Sequence, residues 1–428
     1  MKVAIISLGC AKNQVDSECL ASQLRTGGHL LVPPSEPSDL LVVNTCGFLA
    51  SAVKENVDLL LDVERLKQEG RLGRVAVMGC LVNRHGDELR QELPWVDSWW
   101  GAGEGEALAR ALGAWEKGER DPLPEGSPWS RYLKIAEGCD HHCAYCLIPA
   151  LRGPLRSAPP REILRDAERL VTSGAREICL VAQDLAVYGE DRGEAKLESL
   201  LKDLSRELPR DVWVRLLYLH PSHLKESFWV LLLSLPQILP YADVTIQHAD
   251  ERILEAMSRP ARTEELRRLF LAARRASPDF ALRTTVMVGF PGEDRRAFET
   301  LRDFLEEISF DRLGSFVFSP EEGTPAAAML PRVSRRTAER RQERIMALQE
   351  RLSLARQERW VGRSLDVLVE SVAPGEGLAW GRSFREAPEV DGEVEIRCGN
   401  ASVAPGQVVS VRVLEADPHD LMGEVVPC

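Results

Sequence analysis

At 428 residues, 44% of them hydrophobic and 28% charged, the chain carries enough apolar material for two or three folded units. No apolar run approaches the roughly 20 residues that a membrane span needs, which excludes a helical membrane protein. The net charge of −12 excludes a broad nucleic-acid-binding surface and leaves room only for local basic patches.

The opening apolar run, residues 2–8, is too short for a signal core and reads as a first β-strand. A cytoplasmic location is therefore expected, where clustered cysteines mean metal or catalysis rather than disulfides. Residues 39–44 and 74–78 are two further β-rich runs, and a helical pattern follows each of the three. This alternation predicts an open, mostly parallel α/β sheet over residues 1–122. The three runs end alike, at Gly9-Cys10, Thr45-Cys46 and Gly79-Cys80. Parallel strands share one carboxyl edge, where ligands bind, so Cys10, Cys46 and Cys80 are expected to converge into a cluster site. The alternative is three buried, inert thiols. Cys19, Cys179, Cys398 and Cys428 fit no such pattern.

Residues 121–128, rich in proline and polar side chains, read as a linker. Over residues 129–331 strands are predicted at 132–136, 177–182, 212–219, 243–247, 282–288 and 313–319. Helices at 160–172, 197–207 and 263–276 fall between them. Repeated βα units of this length predict a full or partial (β/α) barrel with its site at the carboxyl ends of the strands. Cys139, Cys143 and Cys146 lie just past the first of these strands, spaced C-x3-C-x2-C. Three thiolates in one loop can hold three corners of a cubic [4Fe–4S] cluster and leave the fourth iron open for chemistry. Tyr145 puts an aromatic ring beside that corner. Zinc is the alternative, because His141 and His142 share the loop, although no second pair of ligands follows nearby.

Residues 331–360 read as one long helix with nine arginines against four glutamates. A solvated connecting helix laced by i, i+4 Glu–Arg pairs is expected, with RNA phosphate as the other candidate partner. Residues 362–428 hold short strands at 365–369, 394–397, 408–414 and 422–425, a pattern that suits a small antiparallel β-barrel of the oligonucleotide-binding type.

With both trios and the trailing barrel placed, the chain resembles the methylthiotransferases of the radical S-adenosylmethionine (SAM) superfamily along its whole length. The stretches SLGCAKNQVDSE (7–18), VNTCGF (43–48), MGCLVNR (78–84) and EGCDHHCAYC (137–146) resemble the branch that modifies a ribosomal protein. So do VGFPGE (288–293), FSPEEGTP (318–325) and EAPEVDG (386–392), the last in that branch's version of the TRAM domain. The resemblance implies two [4Fe–4S] clusters, one on Cys10, Cys46 and Cys80 and one on Cys139, Cys143 and Cys146. SAM would serve as both methyl donor and radical source, and a methylthio group would be added to the β-carbon of an aspartate. The implied substrate is the small-subunit ribosomal protein S-twelve or the small subunit itself, with any nucleic-acid contact limited to ribosomal RNA. A flavodoxin- or ferredoxin-type electron donor is implied as well, and a monomer is expected. Gln183, Asp184 and Arg283 occupy positions that suggest SAM contacts, beside Tyr145. Two departures stand out: TIQH (245–248) lacks the proline usual before the Gln-His pair, and DLAVY (184–188) has apolar residues in place of threonines.

Two other functions compete with this one. A tRNA adenosine methylthiotransferase should have a basic last domain, yet residues 362–428 carry five arginines and no lysine against twelve acids. A zinc-stabilised, non-catalytic scaffold would need a fourth ligand for each trio.

Overall fold

The computed structural model describes residues 1–115, 123, 127–193 and 196–426. Most of the expected linker, and Cys428, lie outside the described residues. The first unit is a wholly parallel sheet ordered β2-β1-β3-β4-β5. Its strands are β1 (Lys2–Ser7), β2 (Leu30–Leu31), β3 (Ser38–Thr45), β4 (Leu72–Gly79) and β5 (Ser98–Gly101). Helices α1 (Ala11–Thr26), α2 (Ala50–Gln68), α3 (Cys80–Glu92) and α4 (Gly105–Ala111) connect them. One face buries Val3, Leu40 and Val42 against Leu20, Leu24 and Leu108; the other buries Leu41, Val43 and Val77 against Leu60 and Leu81. Helices on both faces explain why the strands are continuous apolar runs rather than alternating ones. Register does the rest: Ser7 aligns with Asn44, Asn44 with Met78 and Thr45 with Gly79, so β1, β3 and β4 end side by side.

The second unit begins with β6 (Ser130–Lys134) and then a short antiparallel pair, β7 (Ala136–Glu137) with β8 (Arg156–Ser157). This pair clasps the loop that carries Cys139, Cys143, Cys146 and helix α5 (Ile148–Arg152). Strands β9 (Glu177–Val181), β10 (Trp213–Leu219), β11 (Ile238–Val244), β12 (Ala281–Val288) and β13 (Arg312–Val317) continue from β6 in chain order. All six are parallel and the sheet stays open, giving a partial barrel. Helices α6 (Pro160–Thr172), α7 (Leu197–Glu207), α8 (Ser227–Ser234), α9 (Glu251–Ala256), α10 (Thr263–Ala276), α11 (Arg295–Ile308) and α12 (Arg335–Glu358) follow in the chain. Inside the barrel, Tyr132, Cys179, Leu217 and Tyr241 meet Ala11 and Val15 of α1. The first helix of the N-terminal unit thus lies against the barrel lumen, anchored by the buried Arg131–Glu18 pair at 3.0 Å.

One strand is displaced from its expected place. β11 spans Ile238–Val244 rather than 243–247, because Pro240 masks it; the β10–β11 register slips around that residue, sparing a ladder bond proline cannot make. Past the strand, Gln247 has φ +64° and still bridges to Val286 of β12, so the missing proline falls outside the strand proper.

The third unit is a closed barrel ordered β14-β15-β16-β18-β17, from β14 (Ser364–Ala373), β15 (Leu378–Arg382), β16 (Val394–Arg397), β17 (Val408–Ala416) and β18 (Leu421–Val425). Every joint is antiparallel except β16–β18. It is locked to the floor of the large barrel by a fully buried triad. Glu177 accepts from Arg215 Nε at 2.6 Å and from Arg382 Nη2 at 2.7 Å, while Arg215 also donates to the carbonyls of Ser383 and Phe384. The long helix differs from expectation. Arg335–Glu339 is an i, i+4 pair, but Arg341, Arg344 and Arg356 reach across to Glu293, Glu299 and Asp311 of the barrel. It is a brace rather than a solvated connector.

Candidate functional site

Cys10 caps α1 straight after β1, Cys46 follows β3, and Cys80 opens α3 straight after β4. Each loop turns too tightly for a side chain. A Cβ added to Gly9 would meet Cys46, and one on Gly79, at φ +107°, would overlap the Thr45 carbonyl. Asn13 Nδ2 donates to the carbonyls of Leu8 (2.8 Å) and Thr45 (3.1 Å), tying two strand ends together. The Cys46 amide is held by Asn56 Oδ1 at 3.0 Å. The three thiols lie close enough to perturb one another. Burial, aided by charge on Cys10, raises Cys46 and Cys80 above the usual thiol range. At Cys10 burial acts upward too, but Lys12, the Asn13 amide and Arg152 outweigh it and the thiol is lowered. Cys10 nevertheless keeps exposed surface, so it lines a concavity rather than a packed core.

The second trio is local in sequence but fixed by tertiary hydrogen bonds. The Cys139 amide donates to Gly153 O (3.1 Å), the Ala144 amide to Met257 O (2.9 Å) and the Ala326 amide to Ala144 O (2.8 Å). Gly138, at φ +78°, admits no Cβ beside the Pro154 carbonyl. Protein donors reach two sulfurs: Ile148 N lies 3.4 Å from Cys146 Sγ and Arg259 Nη1 lies 3.6 Å from Cys143 Sγ. Burial and the neighbouring thiols push Cys139 up to about 11 and Cys146 up to about 12. Such thiols ionise when a metal takes the proton's place.

The donor set fits iron–sulfur clusters. Among the described residues, one group of three candidate ligand atoms lies within 4.8 Å of one another: His141, Asp184 and His223. Neither cysteine trio is drawn that tight. Thiolates on a single zinc ion stand about 4 Å apart, given Zn–S bonds of about 2.3 Å, whereas thiolates on separate irons of a cube stand wider.

The remaining expected residues divide. Tyr145 packs edge-on against Phe290 beside the cysteine loop, and burial raises its hydroxyl well above the usual range. Gln183 Nε2 donates to Glu137 Oε1 at 2.7 Å, while its buried Oε1 has no partner. An orphaned acceptor at this place suits the amino group of a bound amino-acid moiety. Asp184 is already engaged. One oxygen accepts from the amides of Ala186 (2.8 Å) and His220 (3.1 Å), and the other lies 2.8 Å from His141 Nε2. It pins the cysteine loop to the end of β9. Arg283 Nε lies 3.5 Å from Asp391 of the small barrel, and its charge is balanced by Asp243 and Asp391, while its buried Nε and Nη1 have no hydrogen-bond partner.

Sequence reasoning missed Arg152, which ends α5 with a side chain 3% exposed. Its Nε donates to Cys80 Sγ at 3.2 Å, its Nη1 to Asp16 (2.9 Å) and Glu137 (3.0 Å), and its Nη2 to Asn13. The only signal was an Arg-Gly pair soon after the last cysteine, too common to stand out.

Comparison with known proteins agrees with this architecture. A family described as "Uncharacterized protein family UPF0004" matches residues 2–101, the radical SAM superfamily matches 133–305 and the TRAM domain matches 361–426. The ribosomal protein uS12 methylthiotransferase RimO of Geobacter sulfurreducens is 40% identical, with 99% of this chain and 98% of that protein covered. The protein of the same name from Desulfosudis oleivorans is 42% identical over 99% of this chain and 100% of its own. Among solved structures, the radical SAM methyltransferase TsrM of Kitasatospora setae overlays with a TM-score of 0.55 at 15% identity, covering 76% of this chain and 73% of that one, a likeness of fold. Near-complete coverage at this identity, joined to two cysteine trios on two sheets, places the chain in the RimO family of radical SAM methylthiotransferases.

Proposed function

We propose that this chain is a ribosomal protein uS12 methylthiotransferase that exchanges a hydrogen on the β-carbon of an aspartate for a methylthio group. The observation that carries the reading is the pairing of two three-cysteine sites, one on each sheet, through a single buried arginine, Arg152. Cys10, Cys46 and Cys80 would hold one [4Fe–4S] cluster and Cys139, Cys143 and Cys146 the other. Bound clusters and SAM supply the methylthio group and a radical able to take hydrogen from an unactivated C–H bond, chemistry no acid or base here performs. The chain's own residues position and exclude. Gln183 Oε1 would accept from the SAM amino group, Tyr145 and Phe290 wall the loop, and Asp184 with His141 keeps the loop on β9.

The small barrel supports a basic protein as substrate. Its Arg382 and Arg385 are buried against Glu177 and Asp311, while the exposed Arg363, Arg397 and Arg412 are matched by Asp279, Glu415 and Glu424. The exposed acids Asp366, Glu376, Glu389, Glu393, Asp417 and Asp420 come in addition to these pairs and leave the barrel surface net acidic. Such a face attracts a basic ribosomal protein and repels RNA phosphate. No helix among the described residues is long and apolar enough to cross a membrane. We place the enzyme in the cytoplasm as a monomer served by a flavodoxin- or ferredoxin-type reductase. The test is anaerobic reconstitution followed by incubation with SAM, a reductant and either uS12, the small subunit or tRNA. A mass gain of one methylthio group in place of hydrogen on a uS12 aspartate is expected. Methylthio-adenosine in tRNA with unmodified uS12 would overturn the substrate.

A further inference from the structure

The reaction proposed above needs two clusters held at one spacing, because a group built at one is delivered where the other acts, and small displacements at such a site are costly. Between the two sites lies one side chain that bonds to the first and belongs to the loop of the second. Arg152 closes the helix that leaves Cys146, and its backbone carries the clasp through Gly153 and Arg156 back to β8. Its guanidinium leaves that unit and enters the other. Nε donates to Cys80 Sγ, Nη2 to Asn13, and Nη1 to both Asp16 of α1 and Glu137 of the clasp. Asn13 in turn holds the ends of β1 and β3 through Leu8 and Thr45. One planar fork thus grips all three strand ends that bear the first trio, from an anchor in the loop that bears the second.

We propose that Arg152 is the positioning residue that fixes the spacing of the two clusters and sets the reduction potential of the one on Cys10, Cys46 and Cys80. A hydrogen bond to a ligating thiolate withdraws charge from sulfur and makes the attached cluster easier to reduce. Removing it should move that cluster's potential down and leave the other's alone. Lysine cannot replace it, since an ammonium is a point charge that cannot serve Cys80, Asn13 and two carboxylates at fixed angles.

The inference rests on the functional reading above, and its test separates the two. Arg152→Lys and Arg152→Met are each built into two backgrounds. In the Cys139/Cys143/Cys146 triple alanine only the first cluster remains; in the Cys10/Cys46/Cys80 triple alanine only the second does. Redox titration followed by electron paramagnetic resonance should show the first cluster's midpoint shifted to more negative potential, with the second unmoved. In the otherwise wild-type chain the ratio of methylthiolated product to 5′-deoxyadenosine should fall about tenfold. Should Arg152→Met fail to fold with Asp16 and Glu137 unpaired, Arg152→Lys, which leaves them a cation, decides. Unchanged midpoints at full iron loading, or equal shifts in both clusters, overturn the assignment to Arg152. Absence of iron from both triple-alanine backgrounds would instead overturn the functional reading itself.

Discussion

The two cysteine trios reach similar ends by opposite routes. One is written in eight residues of a single loop, and the other is scattered over seventy residues and gathered by sheet register. The local site needs tertiary bonds to give it shape, from Met257, Gly153 and Ala326. The dispersed site gets its shape from the sheet and needs only small residues where the strands turn. A loop site can therefore be lost without its barrel, whereas a register site falls with any shift of β1, β3 or β4.

That contrast can be broken from either side. Gly79→Ala puts a methyl group against the Thr45 carbonyl at φ +107°. Strain and overpacking together should cost about 4 kcal/mol, and iron should fall from about eight to about four per chain, with the N-terminal sheet melting first. Gly138→Ala meets the Pro154 carbonyl and should remove the other half of the iron while leaving the melting of the N-terminal sheet in place. If both variants lose all iron, the sites are not independent.

A third change leaves both trios alone and sharpens the contrast. Glu177→Gln takes one charge from the fully buried Arg215–Glu177–Arg382 triad and should destabilise by about 3 kcal/mol in chemical denaturation at neutral pH. Burial acts to raise the Glu177 pKa, but the two arginines overcome it and hold the carboxyl at about 2. Its folded value lies below its unfolded one, so its contribution is complete above about pH 4.5 and lost as pH falls toward 2. The gap between wild type and variant should close over that interval, and a gap constant with pH would show that the carboxylate is not the stabilising species. Smallest is Asn56→Ala, which frees the Cys46 amide and should cost about 1 kcal/mol, read as slightly weaker iron retention at the first site under chelator challenge.

Much of this was legible in the chain. Helices α6, α7 and α10 fall where their periodicity puts them, and the Gly-Cys and Thr-Cys strand ends announced the first trio. What stayed hidden depends on partners distant in sequence. β15 was missed because Leu378–Arg382 is a short run that follows Gly377 and is itself broken by Gly381, and its pairing comes from β14 and β16. Pro240 disguised β11 for want of a visible bulge. The ion pair of Arg283 stayed hidden because nothing in its own strand reveals Asp391, about a hundred residues on. The partners of Asp184, which are His141 and the amides of Ala186 and His220, were hidden in the same way.

The buried triad under the large barrel has a meaning for substrate choice. A small barrel that swung on a tether could sample many partners. One riveted through Glu177, Arg215 and Arg382 holds its acidic face at a constant offset from the mouth where Cys139, Cys143 and Cys146 lie. The molecule is then a caliper: a substrate must present a basic patch and its target aspartate at the matching separation. Short peptides bearing the same aspartate would span only one jaw.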